Sequence, residues 1–421
     1  METKRKNKIK VLILGLIFLS GQVLFGQVYN QEFTTFKGKV KDKDNNKEIV
    51  FANISIVGTH VGTVTNLDGE FTIKVKKSSE AQEILFSHIG YDNNKISTSD
   101  LKAENNLIYL QVSSKPLNEV TVRPTDAKKL IRQAIEKVHL NYSNSPALYT
   151  GFYRETVKQR RDYISISEAI VDIYKQSYIE ESDDKVKVFK GRKSTNVKQS
   201  DTLAFKLQGG PNVSLLLDIA KNPYVLIDED VINNYDFELS DIVSVNNRLN
   251  YLVSFKPFIS SPDYPSFIGK YYIDVQTLAI TSVEFGLDLT EKELVGKFFV
   301  KKKPIGLKII PISTSYWVNY KELNGKFYFN YARSEVKFKC NWKKKLFNSN
   351  YTVMSEIAMT DWATEDIVKF KNKESLKKNE VFADKVSAFT DEDFWGEHNY
   401  IEPDQSIEAA IKKYARKMKR K

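Results

Sequence analysis

Alternating apolar and polar residues on both sides of an Asn-Gly pair constrain this chain more than any other feature of its sequence. Residues 312–340 read ISTSYWVNYKELNGKFYFNYARSEVKFKC, with Asn324-Gly325 near the centre. An Asn-Gly pair between two alternating runs is the strongest short-range signal for a β-hairpin. Similar runs occupy residues 149–157, 248–257 and 269–289. Long strands in series predict a large, curved antiparallel sheet, half-barrel-like, over residues 147–400.

Shorter alternating runs separated by turn residues precede this sheet. They cover residues 36–40, 52–58, 70–75, 83–91 and 106–112. In EFTIKV, residues 70–75, the apolar Phe71, Ile73 and Val75 fall on one face of an extended strand. Several short strands close together predict a small antiparallel sandwich over residues 34–112, so the chain is expected to be mainly β.

The stretch GTVTNLDGEF, residues 62–71, fits either a calcium loop or a hairpin turn. Counted from Asn66, the third position is Asp68 but the sixth is Phe71, where an EF-hand loop needs glycine. A turn needs only that Asn66 accepts backbone N–H bonds and that Gly69 adopts a positive φ. The stretch therefore predicts a hairpin, and we expect no metal ion or other cofactor.

Residues 36–75, followed by LFSHIGY at 85–91, resemble the carboxypeptidase-regulatory-like domain, a seven-stranded prealbumin-like sandwich. One turn departs from the pattern, because residues 47–50 stand where the family usually has a Gly and a Pro-Leu-like pair. The matching positions are Gly38, Val40, Ala52, Ile54, Gly58, Thr59, Gly62, Thr63, Asn66, Asp68, Gly69, Phe71, Gly90 and Tyr91.

Such domains accompany carboxypeptidases in some proteins, yet this sequence has no His and Glu pair at a zinc-binding spacing. The domain also resembles the N-terminal extension of TonB-dependent nutrient transporters, which lies in the periplasm. There a segment like LNEVTV, residues 117–122, follows it. The long run of barrel strands that would come next is missing here. The resemblance therefore implies an adaptor role in the Gram-negative envelope.

Residues 269–289 resemble the strand pair of half-barrel periplasmic carriers of the lipoprotein-carrier type, in which a residue such as Asp274 begins the turn. More broadly, residues 115–410 resemble Gram-negative envelope proteins that join a regulatory-like domain to a β-rich region. The stretches that carry this resemblance are LNEVTV, NYSNSPALYTGFYRE and DEDFWGEHNYIEP. It implies a binding role and no particular catalytic residue.

Two helical segments are predicted beside the sheet. Residues 124–141 belong to a linker and helix over 113–146, with Pro124 and Asp126 as starting signals. Residues 212–227 are apolar enough for a helix lying across the concave face of the sheet. The apolar face of the first helix holds Leu130, Ile131, Ala134, Ile135 and Val138.

The two ends of the chain are basic. Five cations precede an apolar run over residues 11–25, and Gly26 follows it. This pattern predicts a signal peptide over residues 1–26, with an uncleaved anchor as the alternative, because a run of about 15 residues is short for a spanning helix. No cysteine lies near the junction, so we expect export to the periplasm or outer membrane without lipid modification.

The C-terminal residues 403–421 predict a basic helix with Ile407, Ile411, Tyr414 and Met418 along one stripe. Such a helix either contacts an anionic membrane surface or docks on its own domain. The net charge of +11 comes from the two ends, since residues 27–411 sum to zero. A neutral body with a basic tail argues against a nucleic-acid partner.

Residues capable of chemistry are scattered. His60, His88, His139 and His398 are far apart, and no HExxH, GxSxG, Walker or GxGxxG motif occurs. The acidic runs 228–230 and 391–393 read as solvated loops, because consecutive side chains point in different directions.

Two further features have structural interpretations. The single cysteine, Cys340, excludes an intramolecular disulfide and predicts a buried strand residue. Phe394, Trp395 and Tyr400 form either a sugar platform or, as we favour, an anchor for a terminal segment.

The sequence thus predicts a non-enzymatic envelope protein with a lipid, a glycan or another envelope protein as its partner. No catalytic, cofactor-binding or metal-binding residue is predicted. The alternative is a peptide or glycan hydrolase whose carboxylates meet only in three dimensions. It predicts two acids in one cleft, one of them with a raised pKa.

Overall fold

The computed structural model describes residues 33–77, 82–114, 126–195, 210–226, 232–258, 265–290, 292, 307–342, 348–388 and 394–418. The predicted signal peptide, the LNEVTV segment and the two acidic runs lie outside these residues, as do Pro124 and the side chains of Tyr414 and Met418. Strands make up 53% of the described residues and helices 14%, which confirms the prediction of a mainly β protein.

Seven short strands form the predicted sandwich, in two sheets of order β4-β1-β7 and β3-β2-β5-β6. One prediction is wrong, because β7 runs parallel to β1. The chain crosses from β6 in one sheet to β7 in the other, and only such a crossover allows a parallel neighbour. The strands are β1 Phe33–Asp42, β2 Asn53–Ile56, β3 Gly62–Val64, β4 Glu70–Lys76, β5 Glu83–Ser87, β6 Asn94–Ser97 and β7 Asn106–Leu110.

The turn between β3 and β4 forms as predicted, but the prediction of a hairpin is wrong, because β3 pairs with β2 in one sheet and β4 pairs with β1 in the other. Asn66 Oδ1 accepts hydrogen bonds from the backbone N–H groups of Asp68, at 2.9 Å, and Glu70, at 2.8 Å. Gly69 has a φ of 69°. Val40 O lies only 2.9 Å from where a Cβ of Gly69 would stand, so a side chain there would meet the neighbouring strand. The side-chain oxygen of Asn66 thus binds backbone N–H groups and stabilises the turn.

The second domain is a sheet that is not closed into a barrel. Ten strands pair antiparallel in the order β11-β12-β13-β14-β15-β16-β17-β8-β9-β10, and the short β18 adds in parallel to β10. The strands are β8 Ala147–Gln159, β9 Asp162–Lys175, β10 Lys185–Thr195, β11 Tyr235–Val245, β12 Arg248–Pro257, β13 Phe267–Asp274, β14 Ile280–Leu287, β15 Leu307–Leu323, β16 Lys326–Trp342, β17 Ser349–Ala363 and β18 Ser387–Ala388.

Two turns in this sheet confirm the sequence predictions. Asn324 and Gly325 have φ values of 52° and 78° and join β15 to β16. Asp274 begins the turn after β13, where its Oδ1 accepts from the N–H groups of Gln276 and Thr277. Arg248 holds the other carboxylate oxygen of Asp274 at 2.6 Å.

Four α-helices accompany the strands among the described residues: α1 Ala127–Glu136, α2 Val138–Asn141, α3 Pro211–Leu215 and α4 Gln405–Met418. The first predicted helix is present but breaks at Lys137, and Asp126 caps its start by accepting from Lys129 N at 2.9 Å. Leu130, Ile131 and Ala134 are buried as predicted.

The predicted helix over residues 212–227 is wrong, because α3 ends at Leu215 and irregular turns follow. Pro223 stands inside the predicted span, and a proline in a helix interior removes a backbone hydrogen bond. Asp218, which follows α3, has a buried carboxylate that accepts from the hydroxyls of Tyr178 and Tyr320, each at 2.9 Å. Lys175 Nζ lies 2.7 Å from the same carboxylate. These partners pair the buried charge of Asp218, as burial of a charge requires.

The large sheet is covered on both sides. On β8, Tyr149 and Tyr153 face a core shared with α1, α2 and the segment around α3, which we call the helical face. Phe152 and Arg154 point to the opposite side, the sandwich face, where Val64 of the sandwich and Trp395 of the late segment pack. The small domain therefore lies directly on the large one.

Candidate functional site

Charged side chains form one row across eight adjacent strands of the sandwich face. Residues that stand directly opposite one another in neighbouring strands point to the same face of a sheet. The charged row, in strand order, is Lys270, Glu284, Trp317, Arg333, Glu356, Arg154, Glu168 and Arg192. Its charges alternate in sign except where Trp317 interrupts them.

Most of the charged row is buried and tightly paired. Arg154 Nε lies 2.7 Å from Glu168 and its Nη1 lies 3.0 Å from Glu356. Arg192 holds the second oxygen of Glu168 at 2.9 Å, and Arg333 holds that of Glu356 at 3.2 Å. Burial raises the pKa of Glu168, but the adjacent Arg154 and Arg192 outweigh it and leave that pKa below its ordinary value. Glu168 is therefore ionised and has a structural role.

The late segment, residues 394–404, closes over the buried part of the charged row. Arg154 Nη2 donates to Ile401 O at 2.8 Å, and the Arg192 guanidinium lies 4.6 Å from the Trp395 ring centre. The same segment is bound to the sandwich, since Asn399 Oδ1 accepts from Lys74 N at 2.7 Å. Trp395 is only 4% exposed, which confirms the anchor and rules out a sugar platform at this ring.

The sandwich covers the middle of the charged row. Phe51 packs on Trp317 with ring centres 5.2 Å apart, and the Arg333 guanidinium lies 5.1 Å from the centre of the Phe51 ring. Asn330 donates to Asn53 Oδ1 at 2.8 Å across the interface. Ring stacking and hydrogen bonds thus fix the sandwich on β15 and β16.

Beyond this contact the two domains diverge and leave a cavity of about 820 Å³, the junction groove. The sandwich and the strands β13, β14, β15 and β16 all contribute to it. Its lining is mostly apolar and consists of Val50, Phe51, His88, Ile89, Ile268, Gly269, Lys270, Glu284, Phe285, Gly286, Leu287, Leu289, Ile312, Ser313, Thr314, Ser315, Tyr316, Trp317 and Arg333.

Small residues at a fork between β14 and β15 create the space. The two strands pair only from Ser282 and Asn319 to Phe285 and Tyr316. Past that point Leu287 N donates to the Thr314 hydroxyl, at 2.7 Å, instead of to a backbone carbonyl.

A glycine keeps the floor of this fork open. A Cβ at Gly286 would lie 2.7 Å from Thr314 O, so a side chain there would push the strands apart. The surface of the groove at Gly286 therefore carries no side chain. Ile268 and Ile312, at 45% and 44% exposure, present apolar surface to solvent.

Few polar groups face the junction groove. Lys270 is exposed, and among the described residues no ion pair holds its ammonium. Its cross-strand neighbour Glu284 accepts from the Tyr272 hydroxyl at 3.0 Å. Burial lowers the pKa of His88, whose Nδ1 lies 2.9 Å from Ile89 O, so this ring is neutral at pH 7.

A second cavity, of about 430 Å³, is polar and lies beside α3. Asp184 forms its wall and bridges Lys175, at 2.7 Å, and Lys221, at 2.6 Å. Burial raises the pKa of Asp184, but the two lysines outweigh it and lower that pKa overall. Glu180, Glu181 and Asp183 also line this cavity.

The hydrolase alternative predicts two acids in one cleft, one of them with a raised pKa. The junction groove contains a single carboxylate among the described residues, that of Glu284. The smaller cavity contains four, and the pKa of Asp184 there is lowered, opposite to the shift that a general acid needs. Within the described ranges, no three His, Cys, Asp or Glu residues are grouped so as to hold a metal ion.

The four histidines have separate surroundings. His60 stacks on Trp362 with ring centres 4.7 Å apart, and His398 meets Phe189 edge-on at 5.2 Å. His139 is exposed at the end of α2, which agrees with its predicted position at the border of the helix. Only His88 lines the junction groove, a position that its sequence context did not indicate.

The remaining predicted features are structural. Cys340 is fully buried in β16, as predicted, and burial raises the pKa of its thiol to about 12. Ile407 of α4 is buried against Tyr163 and Ile166 of β9, so the C-terminal helix docks on its own domain. No helix in the described part of the chain combines the length and hydropathy of a membrane span.

Comparison with known proteins identifies one domain. Residues 36–122 match the family model of the CarboxypepD_reg-like domain, which confirms the resemblance for that part of the chain. No curated protein matches the chain in sequence.

Several solved structures are weakly similar to part of this chain. A domain from Vibrio parahaemolyticus named for outer membrane lipoprotein sorting is 10% identical, covers 58% of this chain and 94% of its own, and has a TM-score of 0.23. A DUF1329 family protein from Desulfovibrio piger is 11% identical over 59% and 98%, with a TM-score of 0.24. A LolA superfamily protein from Nitrosomonas europaea is 10% identical over 58% and 99%, at 0.18. Scores this low carry no functional argument.

Proposed function

We propose that this chain is a non-enzymatic binding protein of the cell envelope and that it holds an apolar, lipid-class ligand in the junction groove. The observation that carries the proposal is the groove itself, which the two domains form jointly. Its volume of about 820 Å³ lies within the usual range of ligand sites, and a mostly apolar lining with a few polar groups is typical of them.

The exposed isoleucines support an apolar ligand. Ile268 and Ile312 leave nearly half of their surface in water at the mouth of a concave site. Burying such surface contributes roughly 25 cal/mol per Å², which favours a ligand with a hydrocarbon part. A glycan would need free aromatic faces, whereas Phe51 and Trp317 are already packed on each other.

Binding of N-phenyl-1-naphthylamine, an uncharged probe that fluoresces in apolar sites, tests the proposal. The chain without residues 1–26 is expected to bind it, and Ile268→Asp to weaken binding at least tenfold. Ile179→Asp is the control, because Ile179 is also an exposed isoleucine but lies outside the groove. Equal binding by both variants would contradict a site in the groove.

The envelope location is a separate part of the proposal. It rests on the basic and apolar pattern of residues 1–26 and on the regulatory-like domain. Cell fractionation with mass measurement of the intact protein is expected to give a periplasmic or outer-membrane chain that begins at Gln27. A cytoplasmic chain that retains Met1 would refute this part and leave the groove untouched.

A further inference from the structure

We propose that the junction groove selects single-chain amphiphiles with an anionic head, and that Lys270 binds the head while the hydrocarbon chain lies over Gly286. This inference rests on the proposed function and adds the chemical class of the ligand. The charges of the groove constrain the head of the ligand, and the shape of the groove constrains its hydrocarbon chain, so together they specify one class of ligand.

The charge of the head follows from which cation is available. Arg333 and Lys270 are the two lysine or arginine residues of the groove lining. Arg333 is committed, since it pairs with Glu356 at 3.2 Å and with Glu335 at 2.9 Å. Lys270 is exposed and has no ion pair among the residues that the structure describes. Among the described lining residues, Lys270 therefore offers an anion the one ammonium without an ion pair, at the end of the charged row.

Glu284 limits this attraction and provides a test of it. It stands directly opposite Lys270, and its carboxylate accepts from Tyr272 OH. A carboxylate at this position repels an anionic head, whereas the ammonium of Lys270 attracts it, and only the carboxylate already accepts a hydrogen bond from a neighbouring side chain. The two residues should therefore have opposite effects on an anion and little effect on an uncharged ligand.

The form of the chain follows from the floor. On the sandwich face Gly286 stands between Ile268 of β13 and the fork with β15, where Thr314 O approaches it too closely for any side chain. Ser315 beyond the fork is also small and exposed. A low floor bordered by Ile268 on one side and Ile89 of the sandwich on the other accommodates one narrow, unbranched chain better than a branched or ring-shaped ligand.

Displacement of bound N-phenyl-1-naphthylamine tests the inference. Three competitors share one chain length: dodecanoate, dodecanol and dodecyltrimethylammonium, each below its micelle concentration. Dodecanoate is expected to displace the probe at the lowest concentration. Lys270→Met should weaken dodecanoate about fivefold, which matches the upper range for an exposed ion pair, and should leave dodecanol unchanged. Glu284→Gln should tighten dodecanoate by a similar factor.

The control variant is Lys95→Met, which removes another exposed strand lysine outside the groove and should change none of the three. If dodecanol competes as well as dodecanoate, or Lys270→Met weakens both equally, the anionic head is refuted while the apolar groove stands. If the probe does not bind to the unmodified chain, the proposed function itself fails. Dodecyl phosphate in place of dodecanoate shows whether a carboxylate is specifically required.

Discussion

Replacing Glu155 with Gln should stabilise this protein at neutral pH and leave it nearly unchanged at acidic pH. Glu155 lies on the helical face of β8, between Ser355 of β17 and Ser167 of β9, and is only 5% exposed. The Tyr153 hydroxyl donates to it at 2.9 Å. Burial raises the pKa of this carboxyl from 4.5 to about 8, against a smaller lowering by Tyr153.

The magnitude follows from proton linkage. The folded protein keeps a proton on Glu155 up to about pH 8, whereas the unfolded chain releases it near its ordinary value of 4.5. The unfolded state thus binds fewer protons between these limits, and the free energy of unfolding falls by about 1.4 kcal/mol per pH unit. The stability contributed by this group is complete below pH 4.5 and is lost as the pH rises towards 8. At pH 7 the loss is on the order of 3 kcal/mol.

Urea unfolding of the unmodified chain and of Glu155→Gln at several pH values measures this effect. Gln is uncharged and similar in shape, and its carbonyl can accept from Tyr153. The variant should gain about 3 kcal/mol over the unmodified chain between pH 4.5 and pH 7. Glu365→Gln, at an exposed position, should show no such gain. A difference between Glu155→Gln and the unmodified chain that does not vary with pH would refute the assignment of a buried, protonated carboxyl.

Three other substitutions test separate parts of the structure. Arg154→Met should lower the free energy of unfolding by about 3 to 5 kcal/mol in urea, because it leaves Glu168 and Glu356 buried beside fewer cations. Lys337→Met, which removes a partly exposed ion pair with Glu335, should cost under about 1 kcal/mol. Ser315→Phe should fill the junction groove and abolish probe binding without lowering the thermal midpoint of unfolding. Ser99→Phe, outside the groove, should leave both probe binding and the midpoint unchanged. Probe binding retained by Ser315→Phe would show that the probe does not bind in the groove. Cys340→Ser should destabilise the protein by about 1 to 3 kcal/mol, more than Cys340→Ala, because its hydroxyl is buried at a site built for a thiol. The native thiol should react with a thiol reagent only in urea, and rapid reaction without urea would contradict its burial.

Local features of the fold were predictable because a few adjacent residues determine them. Asn66 and Gly69 close a turn through their own backbone contacts, and Asn324 with Gly325 does the same between β15 and β16. The predicted helix over residues 212–227 overlooked one local signal, Pro223, and one distant contact, that of Asp218. Tyr320, which draws Asp218 into the core, is 102 residues away, and no local pattern indicates that contact.

The candidate site depends on contacts of the same distant kind. Alternation along each strand shows that Arg154, Glu168 and Glu356 lie opposite the apolar face, but it gives no lateral register between strands. Glu356 is 202 residues from Arg154, and their alignment follows only from the pairing of β17 with β8. The junction groove likewise requires the position of the sandwich on β15. Polar residues at central strand positions were the one available signal for the charged row.

The pairing of β17 with β8 also sets the order in which the protein can be completed. As the chain is synthesised, β8, β9 and β10 are made early, yet the neighbour that covers the free edge of β8 starts only at Ser349. Arg154 and Glu168 can meet at once, whereas the carboxylate of Glu356 and the carbonyl of Ile401 arrive much later. In a nascent or truncated chain that ends before Ile401, Arg154 would lack the carbonyl acceptor for its Nη2 donor. Such a chain would be open to proteolysis and to chaperones until its last segment had emerged.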